Sequence, residues 1–305
     1  MKLIRSSDRS SAPEGATALA IGNFDGLHLG HQALIDRVLE LSPDLSPSLM
    51  CFEPLPATYF SPEDPVERLH SVRDRFVVST ALGIERLYML RFDKRFSSLT
   101  APEFVEQIVV GLARAQHVVV GSDFRFGAKA AGDADHLMGL GAVHGFEVSV
   151  IDPVLLANQR VSSSLIRSML AAGQLDEACK MIGRPYVLHG RVLRGQQLGR
   201  KLGYPTVNLR PPTPPAVHGI LAARVHGPDL NDHPAVVSIG RRPTVAGQHV
   251  LLEAHLFGYE GDLYGQHLGV ELVQYLRGEV KFDTLTAMKK QMDTDAAQAR
   301  QILGV

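Results

Sequence analysis

At 305 residues the chain is long enough for two domains, each with its own core. A content of 45% hydrophobic and 21% charged residues, with mean hydropathy near zero, is that of an ordinary globular protein. The 31 Lys and Arg against 32 Asp and Glu leave a formal charge of −1, so bulk charge holds it neither to nucleic acid nor to an anionic membrane, and any phosphate binding must be local.

The first residues, "MKLIRSSDRSSAPEG", contain no apolar core of a secretory signal, and no run of about eighteen apolar residues marks a membrane span. Cys51 and Cys179 match no metal spacing and read as buried free thiols in a reducing compartment. A cytoplasmic protein is expected.

In chain order, "ATALAIGNF" reads as a strand, and "GHQALIDRVLEL" as a helix with Leu34, Val38 and Leu41 on one stripe. "SLMCFEPLP" is strand-like and breaks at its prolines. "RDRFVVSTALGIERLYML" and "APEFVEQIVVGLARAQHVVVGSDF" each read as helix then strand, and "HGFEVSVIDPV" adds another strand. This alternation predicts a parallel sheet covered on both faces, a Rossmann-like α/β domain. "SSSLIRSMLAAGQLDEACKMIGRPY" follows as two short helices, with Gly173 and Gly183 after them. Beyond Pro185 glycine and proline become frequent. "VLLEAHLF" and "LGVELVQYL" flank the turn "YEGDLYG", the pattern of an antiparallel barrel or sandwich. The tail predicts a closing helix with Leu285, Met288 and Met292 on one stripe. The expected division is 1–183 and 184–305, where composition and periodicity change together.

"AIGNFDGLHLGHQALI" sits where the first strand ends and a helix begins, the place where open α/β sheets bind ligands. Gly22, Gly26 and Gly30 let the backbone turn sharply and approach a ligand, and the helix start favours an anion. His28 and His31 can then donate to phosphate oxygens, which suits attack on the α-phosphate of a nucleotide. The turn lacks the Lys-Ser/Thr pair of a Walker A loop and the HExxH of a zincin. A lone HxxH is more often structural than not; its setting in "GNFDGLHLGH" after a strand favours function. Further on, Ser164 lies where it could cap a helix, with Arg167 one turn beyond, so both could address one anion.

"GNFDGLHLGH" resembles the HxGH signature of nucleotidylyltransferases and, with "FDKRFSSLTAPEFV", "VVVGSDFRFG" and "VSSSLIR", the N-terminal half of the bifunctional riboflavin kinase/FMN adenylyltransferase family of bacterial FAD synthetases. The resemblance implies that His28 and His31, the turn Gly22, Asn23, Phe24, Asp25 and Gly26, and the element Ser163, Ser164 and Arg167 hold ATP while the phosphate of FMN attacks it. It places Asp123 and Phe126 near the flavin, although Asp123 also reads as a plain turn residue.

In the second half, "HGRVLRGQQLGRKLGYPTVNL" interleaves Gly190, Gly195, Gly199 and Gly203 with Arg191, Arg194, Arg200 and Lys201. Open backbone N–H groups beside cations suit an anion; read alone, the segment also fits a basic hairpin on RNA. Thr206 and Asn208, two apart on an extended chain, face one way and carry oxygens suited to a hard cation such as Mg²⁺. The block resembles the riboflavin kinase PTxN motif, which implies that Gly190, Gly195, Gly199, Arg200, Lys201 and Gly203 bind ATP and that Thr206 and Asn208 bind Mg²⁺. The resemblance continues through "SIGRRPTV", "LLEAHLF", "GDLYG" and "LRGEVKF". Glu253 faces opposite to Leu252 and Ala254 and matches the family's base for the ribityl hydroxyl of riboflavin; Arg277 matches a position near flavin or nucleotide, with a surface ion pair as the alternative.

Three departures stand out: Leu55 where the family usually has His, the segment Ala128–Ala131 keeping only Lys129 of a basic run, and Ile220–Leu221 in place of Val-Tyr. The expected activity is conversion of riboflavin to FMN and of FMN to FAD, with Mg²⁺ and ATP, by a monomer or weak homo-oligomer that needs no nucleic acid or membrane. One active half, most plausibly the kinase, or a non-turning-over flavin binder are the alternatives.

Overall fold

Six parallel strands frame the first half: β1 (Lys2–Ile4), β2 (Thr17–Ile21), β3 (Ser46–Glu53), β4 (Arg86–Arg91), β5 (Ala115–Gly121) and β6 (Glu147–Ile151), in the order β1-β4-β3-β2-β5-β6. The computed structural model describes residues 1–5, 13–193, 204–244 and 247–305. Every residue of β2 is buried, as a strand covered on both faces requires. The short edge strand β1 gives no periodic signal in the sequence.

The helices between these strands are α1 (Leu29–Glu40), α2 (Pro56–Phe60), α3 (Val72–Ala81), α4 (Lys94–Ser97), α5 (Ala101–Phe104), which runs into a π-helical turn at Val105–Val110, and α6 (Ala134–His144). Thr100 and Glu103 cap α5 reciprocally, two backbone donors being satisfied at once. Leu19, Met50, Tyr88 and Val118 from the strands pack with Phe104 and Ile108 in the core. Helix α1 buries Ile35 and Val38, whereas Leu34 and Leu41 of the expected stripe are half-buried. A two-rung hairpin, β7 (Leu155–Leu156) and β8 (Gln159–Arg160), ends this half.

Two helices follow, α7 (Ser163–Ala171) and α8 (Leu175–Ile182), the second closed by Gly183 in the left-handed region at φ +79°. Strands β9 (Tyr186–Leu193), β10 (Val207–Arg210), β11 (Gly219–Gly227), β12 (Leu230–Thr244), β13 (Gly247–Leu256) and β14 (His267–Arg277) then close an antiparallel barrel, β10-β13-β12-β11-β14-β9. Closure removes the exposed edges of the sheet. The last helix, α9 (Leu285–Leu303), lies on the barrel wall and buries Ala296, Ala299 and Leu303 against Ala222 and Phe257. The expected stripe of Leu285, Met288 and Met292 is not that core face. Leu285 is exposed, and the two methionines line a cleft between α9 and the wall.

By packing, the chain forms two compact units: Met1–Val66 with Arg75–Val161, and Glu67–Asp74 with Ser162–Val305. The strap Glu67–Asp74 thus belongs with the barrel. His189 Nδ1 donates to Asp74 Oδ1 at 2.5 Å, and His218 Nε2 to Glu67 Oε1 at 3.1 Å. Arg184 Nη2 donates to His70 Nε2 at 3.2 Å, and the Arg68 N–H donates to the Pro214 carbonyl at 3.0 Å. Burial lowers the Arg184 guanidinium to about 10. For Asp74 burial opposes ionisation, but the bonds from His189 and Ser71 outweigh it, and the carboxyl lies below its ordinary value.

Candidate functional site

The turn between β2 and α1 is tight and buried. Phe24, Asp25, Gly26, Leu27 and His28 are all buried, while Asn23 is exposed. Phe24, Gly26 and Leu27 have φ of +48°, +88° and +44°. Left-handed backbone at a non-glycine residue costs roughly 1–2 kcal/mol, so packing, not local preference, imposes this path. A Cβ on Gly22 would meet only the Phe24 ring, at 3.5 Å.

His28 is the N-cap of α1, and its Nδ1 accepts from the His31 N–H at 3.3 Å. The neutral ring therefore carries its proton on Nε2. The two imidazoles stack with centroids 3.7 Å apart and planes 14° apart, and Phe24 tilts against His31 at 5.1 Å. A Cβ at position 30 would stand 3.2 Å from the His28 ring, so the glycine between the histidines makes room for the stack. Behind the turn the buried Arg75 pairs with Glu53 and is attracted by Asp25.

The helix cap expected at Ser164 lies two positions earlier. Ser162, not Ser164, caps α7, its hydroxyl accepting from the Leu165 N–H at 3.2 Å. Ser163 and Ser164 are the first two helical residues, half-buried and exposed. Arg167 follows on the same helix and its Nε donates to the Glu67 carbonyl at 2.8 Å.

Phe126 lies in an aromatic cavity of about 240 Å³. It stacks with Phe124 at 5.5 Å, and Phe52, Phe92, Phe96 and Phe104 complete the walls, with Lys129 at the rim. Sequence reasoning found Phe126 alone; the signal available was phenylalanine density in a chain without tryptophan. Asp123 is an exposed residue paired with Arg160; it is not among the residues lining the cavity, although its neighbour Phe124 is. Leu55 is buried and so is a packing residue here.

In the barrel unit, a cleft of about 340 Å³ runs between the wall and α9. Leu252, Ala254 and Leu256 of β13 point into the barrel, and Glu253 and His255 alternate with them on the cleft side. Glu253 faces outward, into the cleft, because the closed interior is filled by apolar side chains. Asn208 on β10 and Ser238 on β12 are its cross-strand partners. Thr206 and Ser238 line the same cleft, as does Ile220. Asn208 Oδ1 is buried and accepts no hydrogen bond among the described residues.

Arg277 also lines the cleft, but its donors are engaged: Nε and Nη2 bind the Asp295 carboxylate at 2.9 and 2.6 Å, and Nη1 the Gly278 carbonyl at 2.8 Å. Gln291 Nε2 donates to the same carboxylate at 2.9 Å. Asp295 escaped the sequence reading because a lone acid on an amphipathic helix gives no signal of burial. Tyr204 donates to Asp293, and burial with that carboxylate pushes its phenol up to about 12. Gly190 sits within β9, where a Cβ would press on Leu209 at 3.0 Å, so its place is explained by close strand approach. Gly195, Gly199, Arg200, Lys201 and Gly203, with Arg194, lie outside the described residues. No group of three His, Cys, Asp or Glu able to hold a metal occurs among the described residues.

A parallel α/β unit with paired imidazoles at a helix start, followed by a closed barrel with a carboxylate cleft, has two counterparts among known families. Residues 10–165 match the FAD synthetase family, and residues 182–303 match riboflavin kinase. A bifunctional riboflavin kinase/FMN adenylyltransferase of Escherichia coli is 38% identical, covering 100% of this chain and 99% of its own; one of Pseudomonas fluorescens is 39% identical, covering 99% and 98%. A Streptococcus pneumoniae structure described as a macrolide-efflux protein superposes with a TM-score of 0.83 at 27% identity, covering 98% of this chain and 99% of that one. Only the fold is taken from it, and no helix among the described residues is long and apolar enough to cross a membrane. The chain belongs to the bifunctional riboflavin kinase/FMN adenylyltransferase family.

Proposed function

We propose that this chain makes FAD in two steps: the barrel unit transfers the γ-phosphoryl of ATP to riboflavin, and the α/β half joins the resulting FMN to AMP from a second ATP, releasing pyrophosphate. The observation that carries the reading is full-length kinship, both matched families lying in order along one chain. The matched ranges support a functional division near residue 184. A cytoplasmic monomer or weak homo-oligomer acting on riboflavin, FMN and ATP is part of the proposal.

In the adenylyltransferase half, His28 and His31 offer ring N–H donors where negative charge grows on the phosphoryl oxygens, and preorganised donors lower that barrier. Their stack and the Nδ1 cap hold the pair before substrate arrives. Ser163, Ser164 and Arg167 supply further anion contacts from the start of α7. The aromatic cavity around Phe126 suits the flat, apolar face of an isoalloxazine ring. Asp123 is assigned to its rim.

In the kinase half, Glu253 is the base that takes the proton of the ribityl hydroxyl. Thr206 and Asn208 would hold Mg²⁺: the buried Asn208 Oδ1 lacks a donor, and a hard cation satisfies such an oxygen. Bound there, Mg²⁺ would neutralise charge on the transferring phosphoryl group. Arg277 shapes the flavin side of the cleft through its bond to Asp295. Gly190, Gly195, Gly199, Arg200, Lys201 and Gly203 are assigned to ATP binding.

One assay tests the reading: riboflavin, ATP and Mg²⁺ are incubated with the protein and the flavins resolved by chromatography. FMN together with FAD is expected. FMN alone would leave a kinase, and unchanged riboflavin would leave a binder.

A further inference from the structure

We propose that His255 is a positioning residue of the kinase cleft: its Nδ1–H, donated to the Pro205 carbonyl, holds Thr206 and Asn208 in place against the strand that carries Glu253. The inference rests on the reading of Thr206 and Asn208 as the metal-holding pair and extends it to a cleft residue that acts through the backbone carrying that pair.

The need for such a tie follows from the strand ladder. Strand β10 pairs with β13 only through Val207–Ala254, Asn208–Glu253 and Leu209–Leu252. Before Val207 the ladder stops, since Pro205 has no N–H to give and residues 204–206 have no regular structure. Among the described residues, Thr206 therefore lies on a segment that the ladder to β13 does not hold.

Side chains supply what the ladder cannot. His255 stands one pleat beyond Glu253 on the same face of β13, with its Nδ1 2.9 Å from the Pro205 carbonyl. Its ring is wedged between Tyr204 at 4.9 Å and Phe257 at 5.6 Å. Tyr204 is itself bound to Asp293 on α9, and Arg300 of the same helix lies 4.1 Å over the Phe257 ring. Burial lowers the His255 pKa, which favours the neutral ring. A neutral imidazole that donates from Nδ1 fixes the peptide carrying Thr206 at a set distance from the base strand.

The chemical consequence is specific. Loss of the tie frees the oxygens of Thr206 and Asn208 to move relative to each other, weakening the grip on Mg²⁺-nucleotide, while Glu253 stays on its ladder-held strand. The expected signature is a raised KM for Mg·ATP in FMN formation with kcat largely retained.

The test uses the full chain with three substitutions. Asn208→Ala identifies the part of Mg·ADP binding, seen by titration calorimetry, that belongs to the kinase cleft. His255→Leu keeps the bulk and removes the donor; that same component should weaken about 3- to 10-fold, the range expected of one hydrogen bond, and the KM for Mg·ATP should rise in step. His255→Asn, whose amide can donate from nearly the position of Nδ1, should restore binding to within about two-fold of the parent. A native circular-dichroism spectrum and a cooperative urea transition with the parent's midpoint report that the barrel of each variant is folded. If Asn208→Ala loses the component and His255→Leu does not, or if His255→Leu lowers kcat with KM unchanged, the inference is overturned. If Asn208→Ala loses nothing, the metal-pair reading and this inference fall together.

Discussion

The two halves each have to grip a nucleoside triphosphate, and they go about it by different routes. In the α/β half the site is local: five successive buried residues, Phe24 to His28, bend through left-handed backbone into a helix whose first turn sets the second imidazole. In the barrel half the site is assembled from afar, with Asn208, Ser238 and Glu253 meeting across three strands and Asp295 reaching in from the last helix. A local site fixes its donors by backbone geometry and tolerates little change there. An assembled site fixes them by side-chain ties, each of which can be cut singly.

That contrast can be broken most directly with one substitution in each half. Glu253→Ala should reduce FMN formation by about 10²- to 10⁴-fold, the usual worth of a positioned base, while supplied FMN is still converted to FAD. His28→Ala should do the reverse, cutting FAD formation by about 10²- to 10³-fold and sparing FMN formation, as loss of one preorganised donor does. Both rates are read from the same flavin chromatograms, and a variant that silences both steps while remaining folded contradicts separate sites.

A smaller effect tests the side-chain ties. Asp295→Ala leaves the Arg277 guanidinium, 22% exposed, without its carboxylate, and should cost about 3 kcal/mol by urea unfolding, the lower end for breaking a buried pair. An unchanged midpoint would mean that the cleft does not depend on that tie.

The smallest effect is one of pH, and it should appear in both halves. Burial depresses the pKa of His117 and of His255. Above about pH 6.5 these rings are neutral folded or unfolded and add no pH dependence. Below it the unfolded chain takes up protons that the folded chain does not, so stability falls as the pH drops. The urea midpoint should decline from pH 7.5 to pH 5.5, and His117→Gln should flatten part of that slope.

How much of this was legible in the sequence follows from the same contrast. The strand, turn and helix around His28 and His31 stand in one contiguous stretch, and their glycines and apolar periods read directly. Strand β13 reads as alternating residues, so Glu253 is separable from Leu252 and Ala254. Periodicity does not say what a face packs against: Met288 and Met292 form a true stripe, yet they line the cleft while Ala296 and Ala299 form the core face. The aromatic cavity joins Phe52, Phe92 and Phe126 from separate elements, and the partnership of Asp295 with Arg277 spans a loop, so neither has a local signature. The cap at Ser162 was blurred by three consecutive serines of equal local merit.

The strap Glu67–Asp74 makes the catalytic barrel a discontinuous object. His189 and Arg184 find their partners 115 and 114 positions upstream, so a gene fragment begun at residue 184 would deprive both of them at once. Such a fragment would leave two side chains near the start of its first strand without the partners they bind here. A stand-alone version of this module therefore needs those eight upstream residues grafted back, and comparing it with and without the graft measures what the strap contributes to the barrel unit.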